Sequence, residues 1–507
     1  MPTRRSLLKG GAVALAAAGL GSMGAAPASV AEATDWSRLG NRLKGRLVRP
    51  QDPGYALAKQ LNFMAFDAVN PAGIAYCADV EDVRTCLSFA HHHGIPAVPR
   101  SGGHSYGGYS TTTGLIIDVS QLNGILVGPQ NAVLGPGAQL VDVVDQASAN
   151  GVALAGGICP TVAMGGYLQG GGIGWQTRAL GLGADSLVSA QVVLADGKVV
   201  TASEEEQPDL FWALRGGGGG NFGIVTRYER RHTTVPRMVN YTLAWPWDIA
   251  ADVLDGWQRW LADSAPHAIG ARCLLGLLDA SPGAAPFLLT DGTFLGSPEE
   301  LTPHLNALAA AIGHTPPYRN VQDLGFRGGM MSWFKCSTSS VAQCHRVGNN
   351  PQADLPRTGF QLSRSRLFRD NLPVTGVTDV LGAFEADRRA GHARMVHVFA
   401  LGGVSADISR TATAYVHRDA RFSVDWATVV APDKATDEEQ AAARAWIDHG
   451  FAVTDRYSAH ETYQNYIDPA LPDWRQSYYA ENYPRLVAAK NAYDPHGFFS
   501  FEQSIGC

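Results

Sequence analysis

Two side chains stand out for what they could do chemically. Cys159 sits in Gly156-Gly157-Ile158-Cys159-Pro160-Thr161-Val162. His104 sits in Pro99-Arg100-Ser101-Gly102-Gly103-His104-Ser105, 55 residues earlier. In each segment one nucleophilic side chain is presented among glycines and small residues. A thiol and an imidazole on bare backbone are suited to two covalent tethers on one flat cofactor.

The other glycine clusters are consistent with a flat ligand. Gly218-Gly219-Gly220-Asn221-Phe222-Gly223 matches GxGxxG in form. The dinucleotide fingerprint needs a strand before it and a helix after it. Here a helical Leu210–Arg215 precedes and a strand-like Ile224–Arg231 follows, so that reading fails. What remains is a wall of backbone N–H groups open to an anion or a ring. Gly102-Gly103 and Gly170-Gly171-Gly172 offer similar walls.

No metal site is expected. His91-His92-His93 reads as the basic end of a helix before Gly94-Ile95-Pro96, where imidazoles suit the C-terminal dipole. CxxC and HExxH are absent. Cys77 and Cys86 read as buried apolar residues. Cys336 and Cys344 could pair, but spacing alone leaves that open.

These residues need a scaffold, and the pattern is α+β. Strands are predicted at Gly73–Cys77, Ala97–Pro99, Leu115–Val119 and Ile224–Arg231, with helices at Val80–His93 and Leu140–Asn150. Ser189–Val200 reads as a hairpin turning on Asp196-Gly197. After Pro236 the texture changes to an antiparallel sheet backed by helices. Strands are predicted at Tyr241–Trp245, Arg272–Leu278, Phe287–Gly292 and Met395–Ala400, and helices at 250–264, 299–312, 376–389 and 437–458. The resulting division is a leader at 1–33, a cofactor domain at 34–235, a substrate domain at 236–450 and a tail at 451–507 that completes the cofactor domain.

Composition narrows the function. The chain has 507 residues, is 45% hydrophobic and 17% charged, and carries a net charge of -6. That balance suits a folded enzyme and argues against a nucleic-acid partner. Thr3-Arg4-Arg5-Ser6-Leu7-Leu8-Lys9 followed by an alanine-rich run reads as a twin-arginine signal. The expectation is export as a folded protein through the twin-arginine translocon, secretion, and no stable membrane anchor.

Taken together, the chain resembles the bicovalent flavoprotein oxidases of the berberine bridge enzyme type, within the vanillyl-alcohol oxidase superfamily. The resemblance rests on Arg100-Ser101-Gly102-Gly103-His104-Ser105; on Gly157, Cys159, Thr161 and Val162 with Gly165-Gly166 and Gly171-Gly172; and on Asn221, Gly223 and Val225. Near the C-terminus it rests on Asn465-Tyr466 and on Tyr479-Ala480-Glu481-Asn482. It implies a PCMH-type FAD-binding domain of two α/β subdomains and assigns these positions to FAD. His104 would bind the flavin 8α-methyl, Cys159 would bind C6 through sulfur, and Tyr466 would be the catalytic base. Two departures are Ala163, where the family usually has glycine, and Leu401, where several sugar-oxidising relatives have tyrosine.

The implied reaction takes a hydride from an alcohol, hemiacetal or sugar hydroxyl to the flavin and reduces O2 to H2O2. An exported, actinobacterial-style tailoring oxidase of secondary (antibiotic) metabolism would act this way on a natural product, and a carbohydrate oxidase on a saccharide. Two rivals remain. Oxidative C–C or C–N bond formation on an aromatic substrate favours a carboxylate base, and no glutamate can be matched to one. A flavin-fold protein that only sequesters a drug needs no base. Trp333, Phe399 and Trp426 are either pocket-lining or core, and the His417-Arg418 pair is either substrate-facing or structural.

Overall fold

The computed structural model describes residues 34–234 and 236–506. The leader falls outside the described residues. From Trp36 onward the described residues fold as one unit built on three main sheets.

The first sheet has the order β1-β2-β4-β3, from Arg46–Val48 (β1), Gly73–Tyr76 (β2), Ala97–Arg100 (β3) and Leu115–Asp118 (β4). β2, β4 and β3 run parallel, and β1 closes the edge antiparallel. The helix Val80–His93 crosses over between β2 and β3. Asp79 caps it by accepting from the Asp82 N–H, and Gly94 ends it in the left-handed conformation at φ 59°. Its Val83, Cys86, Leu87 and Ala90 pack with Ala75, Leu115 and Ile117 of the sheet. The triple histidine is therefore a helix end: His91 bonds the Ala195 carbonyl at 2.7 Å and stacks on Phe498.

The second sheet is antiparallel, in the order β5-β6-β10-β8-β9, from Ile125–Val127 (β5), Asn131–Leu134 (β6), Leu187–Val193 (β8), Val199–Ser203 (β9) and Ile224–Arg231 (β10). Val152–Ala153 (β7) and Thr233–Thr234 (β11) form a separate short pair. The predicted hairpin is β8–β9, with Gly197 at φ 80° in its turn. The β3–β4 connection carries His104. The segment between β7 and the helix Met164–Gln169 carries Cys159.

The third sheet has seven antiparallel strands: Met238–Trp245 (β12), Ile269–Leu277 (β13), Phe287–Leu295 (β14), Tyr318–Asp323 (β15), Phe360–Phe368 (β16), His392–Ala400 (β17) and Phe422–Val430 (β18). Helices Ala250–Asp263, Pro298–Ile312, Val374–Glu385 and Asp437–Asp455 back one face. There Trp257, Leu301, Val377 and Trp446 bury Val396, Val398, Val424 and Trp426. Ser297 and Glu300 form a capping box on the second of these helices. β15, β16 and β18 are additional to the strands read from sequence. Trp426 is fully buried under the helices, which settles it as core. The fold is thus α+β.

The segment from Glu461 to Gly506 returns to the first two sheets. Lys490 is buried and donates to Asn221 O, Phe499 O and Asp494 Oδ2 at 2.6–2.7 Å. Asn221 in turn receives the Ile505 N–H on its side-chain oxygen at 2.9 Å. Cys336 and Cys344 form a disulfide, Cα–Cα 5.9 Å, while Cys77 and Cys86 are buried and free.

Candidate active site

A long groove runs between the first two sheets and the returning tail. Arg100, Ser101, Gly102, Gly103, His104 and Ser105 line it from the β3–β4 connection. Cys159, Val162, Gly165 and Gly166 line it from the second segment. Asn221, Gly223 and Val225 lie beside Gly218–Gly220, and Tyr466 and Tyr479 come from the tail. Residues more than 350 positions apart in sequence thus meet on one concave surface.

The glycines leave room for a flat ligand. A Cβ at Gly166 would meet nothing within 4 Å, and one at Gly219 would meet only the Gly166 Cα at 3.7 Å. Their empty side faces the groove, so neighbouring protein atoms do not require glycine there. Gln169 lines the same groove with its buried Oε1 unpartnered. Unfilled space and an orphan acceptor fit a planar heterocycle with hydrogen-bonding edges.

His104 is oriented by a bond between its Nε2 and Thr161 Oγ1 at 2.8 Å, which leaves Nδ1 as the ring atom available to the groove. Burial, with Arg346 nearby, pushes its pKa down to about 3, so the ring is neutral and nucleophilic. Cys159 is a free thiol exposed to the groove, and desolvation by the surrounding walls pushes its pKa up to about 11. Its chemistry therefore depends on a bound partner rather than on a standing thiolate.

Tyr466 packs edge-on against Tyr106, centroids 5.7 Å apart, and against Tyr463 at 5.1 Å. Tyr463 fixes this segment by accepting the Gly172 and Ile173 N–H groups at 3.0 and 3.2 Å. Asn465 adds a bond to the Tyr167 carbonyl at 3.1 Å. Burial pushes the Tyr466 phenol well up, and Tyr106, Asp425, Tyr463 and Cys159 push it further the same way. These effects all act in the same direction, so the phenol alone is a weak base.

A buried carboxylate that sequence reading did not find, Asp425 on β18, also acts on Tyr466 through its charge. Burial pushes its carboxyl up to about 7, partly offset by a hydrogen bond from Ser363. It lies on the sheet face opposite Trp426, opposite His397 in register, and its charge is felt at both Tyr106 and Tyr466. The same open face carries Arg272, which forks onto Asp291 at 2.9 and 2.7 Å and lies over Trp175 and Trp333. His397, beside Arg272, is pushed down to about 3 by burial and that charge. Phe399 packs on Trp175 at 5.1 Å, so Phe399 and Trp333 belong to an aromatic cluster that Ile158 and Ile173 connect to the groove.

Five positions expected at the cofactor sit off the groove wall and have other tasks. Thr161 acts through His104. A Cβ at Gly157 would press on Leu140 and Tyr167 at 3.0–3.1 Å. Gly171 is glycine because Tyr415 packs on it (2.6 Å to a Cβ), and Gly172 because Tyr167 does (2.8 Å), both at positive φ. Asn482 donates to the carbonyls of Arg410 and Thr413 at 2.8 and 3.1 Å and holds that loop. His417 and Arg418 are also structural: His417 pairs with Glu461 at 2.7 Å, and Arg418 with Asp185 at 2.7 and 2.9 Å.

Residues 71–203 match the family described as "FAD binding domain", and residues 462–506 match "Berberine and berberine like". The chain is 30% identical over 471 residues to an uncharacterized FAD-linked oxidoreductase, YgaK, of Bacillus subtilis (strain 168), covering 92% of this chain and 97% of that protein. It is 28% identical to the xylooligosaccharide oxidase of Thermothelomyces thermophilus, covering 86% and 87%. Among solved structures it is similar to the glucooligosaccharide oxidase of Acremonium strictum, described with a 6-S-cysteinyl, 8α-N1-histidyl FAD. The TM-score is 0.80 at 24% identity, covering 91% and 97%. With the groove, its glycines and the returning tail accounted for, the chain belongs to the berberine bridge enzyme-like family of FAD-linked oxidoreductases.

Proposed function

We propose that this enzyme oxidises a hemiacetal or sugar hydroxyl with FAD tethered through His104 Nδ1 and Cys159 Sγ. The observation that carries the reading is the meeting of His104, Cys159 and Tyr466 on one groove, with the Asp425 charge felt at the phenol. Bound FAD supplies a two-electron acceptor that takes the carbinol hydride and is reoxidised by O2 to give H2O2.

The chain's own residues manage the proton. The substrate hydroxyl proton passes to the Tyr466 oxygen, and Asp425 takes the phenolic proton in turn. A phenol pushed up by burial needs such an acceptor, and a carboxyl near 7 is matched to it. Tyr106 and Tyr463 pack edge-on against Tyr466 and fix its ring. Trp333, half-buried in the aromatic cluster beside the groove, offers a sugar an aromatic surface. The two oligosaccharide oxidases named above support the substrate class.

Asp425 also favours a second reading. A carboxylate poised near 7 suits oxidative bond formation on an aromatic natural product, and the aromatic cluster suits such a ligand. The enzyme would then tailor a secondary metabolite. For either substrate we place the protein outside the cytoplasm, exported by the twin-arginine route. The Cys336–Cys344 disulfide is in keeping with an oxidising compartment.

The test is a peroxide-coupled screen of the purified holoenzyme against xylo- and gluco-oligosaccharides and aromatic natural-product alcohols. Peroxide with saccharides is expected. Flavin that stays oxidised with every saccharide under anaerobic conditions, yet bleaches with an aromatic alcohol, would replace the first reading by the second. Acid precipitation should leave a yellow pellet, and a yellow supernatant over a white pellet would refute the tethers.

A further inference from the structure

A second cavity, of about 640 Å³, shares only Arg100, Ser101, Gly102 and Gly103 with the flavin groove. Its floor is a cross-strand row. Arg46 of β1, Tyr76 of β2, Asp118 of β4 and Arg100 of β3 are direct register partners, so their side chains leave the same face. The row lies at the carboxyl ends of the three parallel strands, where open parallel sheets bind ligands. One step back along the same face, the row is Val48, Ile74, Ile116 and Val98, all buried and apolar. The polar row begins where the cavity begins.

The Arg100 head belongs to this cavity. It is paired with Asp118 and donates to the Tyr76 hydroxyl at 3.5 Å, and both partners line this cavity but not the groove. Arg100 is 5% exposed, and its Nη1 has no partner. A buried guanidinium nitrogen left unsatisfied is costly unless a ligand completes it. Arg46 lies over the Tyr76 ring at 4.6 Å, at the exposed edge. Arg346 lines the cavity from the 345–350 loop, with one hydrogen bond, to the Gln60 carbonyl at 3.3 Å. Of the two carboxylates in the lining, Asp118 is held by Arg100 and Asp142 by His345 at 3.0 Å. Three guanidinium groups thus outnumber the acids. Gln139, also in the lining, has a buried Oε1 without a donor.

We propose that this cavity is a second ligand site for a small hydroxylated anion. Its carboxylate or phosphate would sit on Arg100, Arg46 and Arg346, and a hydroxyl would donate to Gln139. Guanidinium forks recognise both oxyanions, so a sugar acid and a sugar phosphate share the required chemistry. An unmet donor and an unmet acceptor in the lining of one cavity call for both features in one molecule. The occupant would rest against the backbone that carries His104.

Calorimetric titration of the holoenzyme at low ionic strength with gluconate, glucose 6-phosphate and neutral glucose tests this. One-site binding of at least one anion, without matching binding of glucose, is expected. The anion that binds identifies the source of the oxyanion. Arg46→Gln, at an exposed position, and the Arg46→Gln/Arg346→Gln pair should weaken that binding, the pair by at least about tenfold. Tyr466→Phe should leave it unchanged. No binding of either anion, equal binding of glucose, wild-type affinity in the paired variant, or loss of binding in Tyr466→Phe would each overturn the proposal.

Discussion

His104 Nε2 lies 2.8 Å from Thr161 Oγ1, and this one bond decides which ring nitrogen faces the groove. Without it the imidazole can turn over, and Nδ1 loses its advantage. A neutral hydrogen bond is worth about 1 kcal/mol, or roughly fivefold in orientation. Thr161→Val should therefore slow histidyl attachment about fivefold while leaving the fold intact. Mass spectrometry of the flavinylated peptides would read this directly. Unchanged histidyl linkage would mean that the groove, not Thr161, orients the ring.

Asp425 gives the reaction a pH limb. Its carboxyl, raised to about 7 by burial, must be ionised to accept a proton, so the reductive rate should fall below pH 7 with a slope of one. Asp425→Asn should lower the rate at pH 8 by about 10²-fold or more and remove that limb. Stability moves the other way. A folded pKa above the unfolded one means the folded state binds the proton more tightly. The penalty for ionising Asp425 is absent below about pH 4 and complete above about pH 7. Asp425→Asn should thus raise Tm at pH 8 and leave it unchanged at pH 4. Equal effects at both pH values would contradict a raised carboxyl.

Asp425 and Trp426 show how much of this was legible. Trp426 was a pocket candidate in the sequence, and the structure buries it between the sheet and its helices. Strand side chains alternate, so its neighbour Asp425 leaves the opposite face, with His397 and Arg272. In Phe422–Val430 a lone aspartate among apolar residues was the available signal, because a charge in such a strand must have a partner or a function. β15 was missed for another reason: Tyr318–Asp323 lies at the sheet edge and shows no apolar alternation. By contrast, the helix Val80–His93 was read to its end because Gly94-Ile95-Pro96 is a local stop signal, and the structure adds Asp79 as its N-cap. The cofactor motifs were legible because backbone approach and covalent attachment need particular residues at particular places. Gly171 and Gly172 resemble those motifs, yet they serve the packing of Tyr415 and Tyr167, which only tertiary structure reveals.

Glu461 anchors the segment that carries Tyr466. It accepts from His417 Nδ1, Arg369 Nη2 and Arg410 Nη2 at 2.6–2.7 Å. Burial alone would push its carboxyl up, but His417 and Arg410 outweigh burial and hold it at about 2. With the folded pKa below the unfolded one, the stabilisation is present above about pH 4.5 and is lost as pH falls toward 2. Glu461→Gln leaves the cations under-compensated and should cost about 3 kcal/mol at pH 7. The cost should shrink toward pH 3. Denaturant titration at the two pH values separates this from a simple packing defect, which would cost the same at both.

Gly166 lies inside the helix Met164–Gln169, where glycine is about 1 kcal/mol worse than alanine. No neighbouring atom asks for it, since a Cβ there would meet nothing within 4 Å. Its φ is not in the left-handed region either. Local propensity and packing both favour alanine, so the reason for glycine must be the open space it keeps in the groove. Gly166→Ala should then separate two properties that usually move together. Tm of the flavin-free fraction should rise, and the flavin-to-protein ratio of the purified enzyme should fall. A variant that binds flavin in full would show that the ring does not approach this helix. A variant that loses stability along with flavin would show that the helix itself requires the glycine.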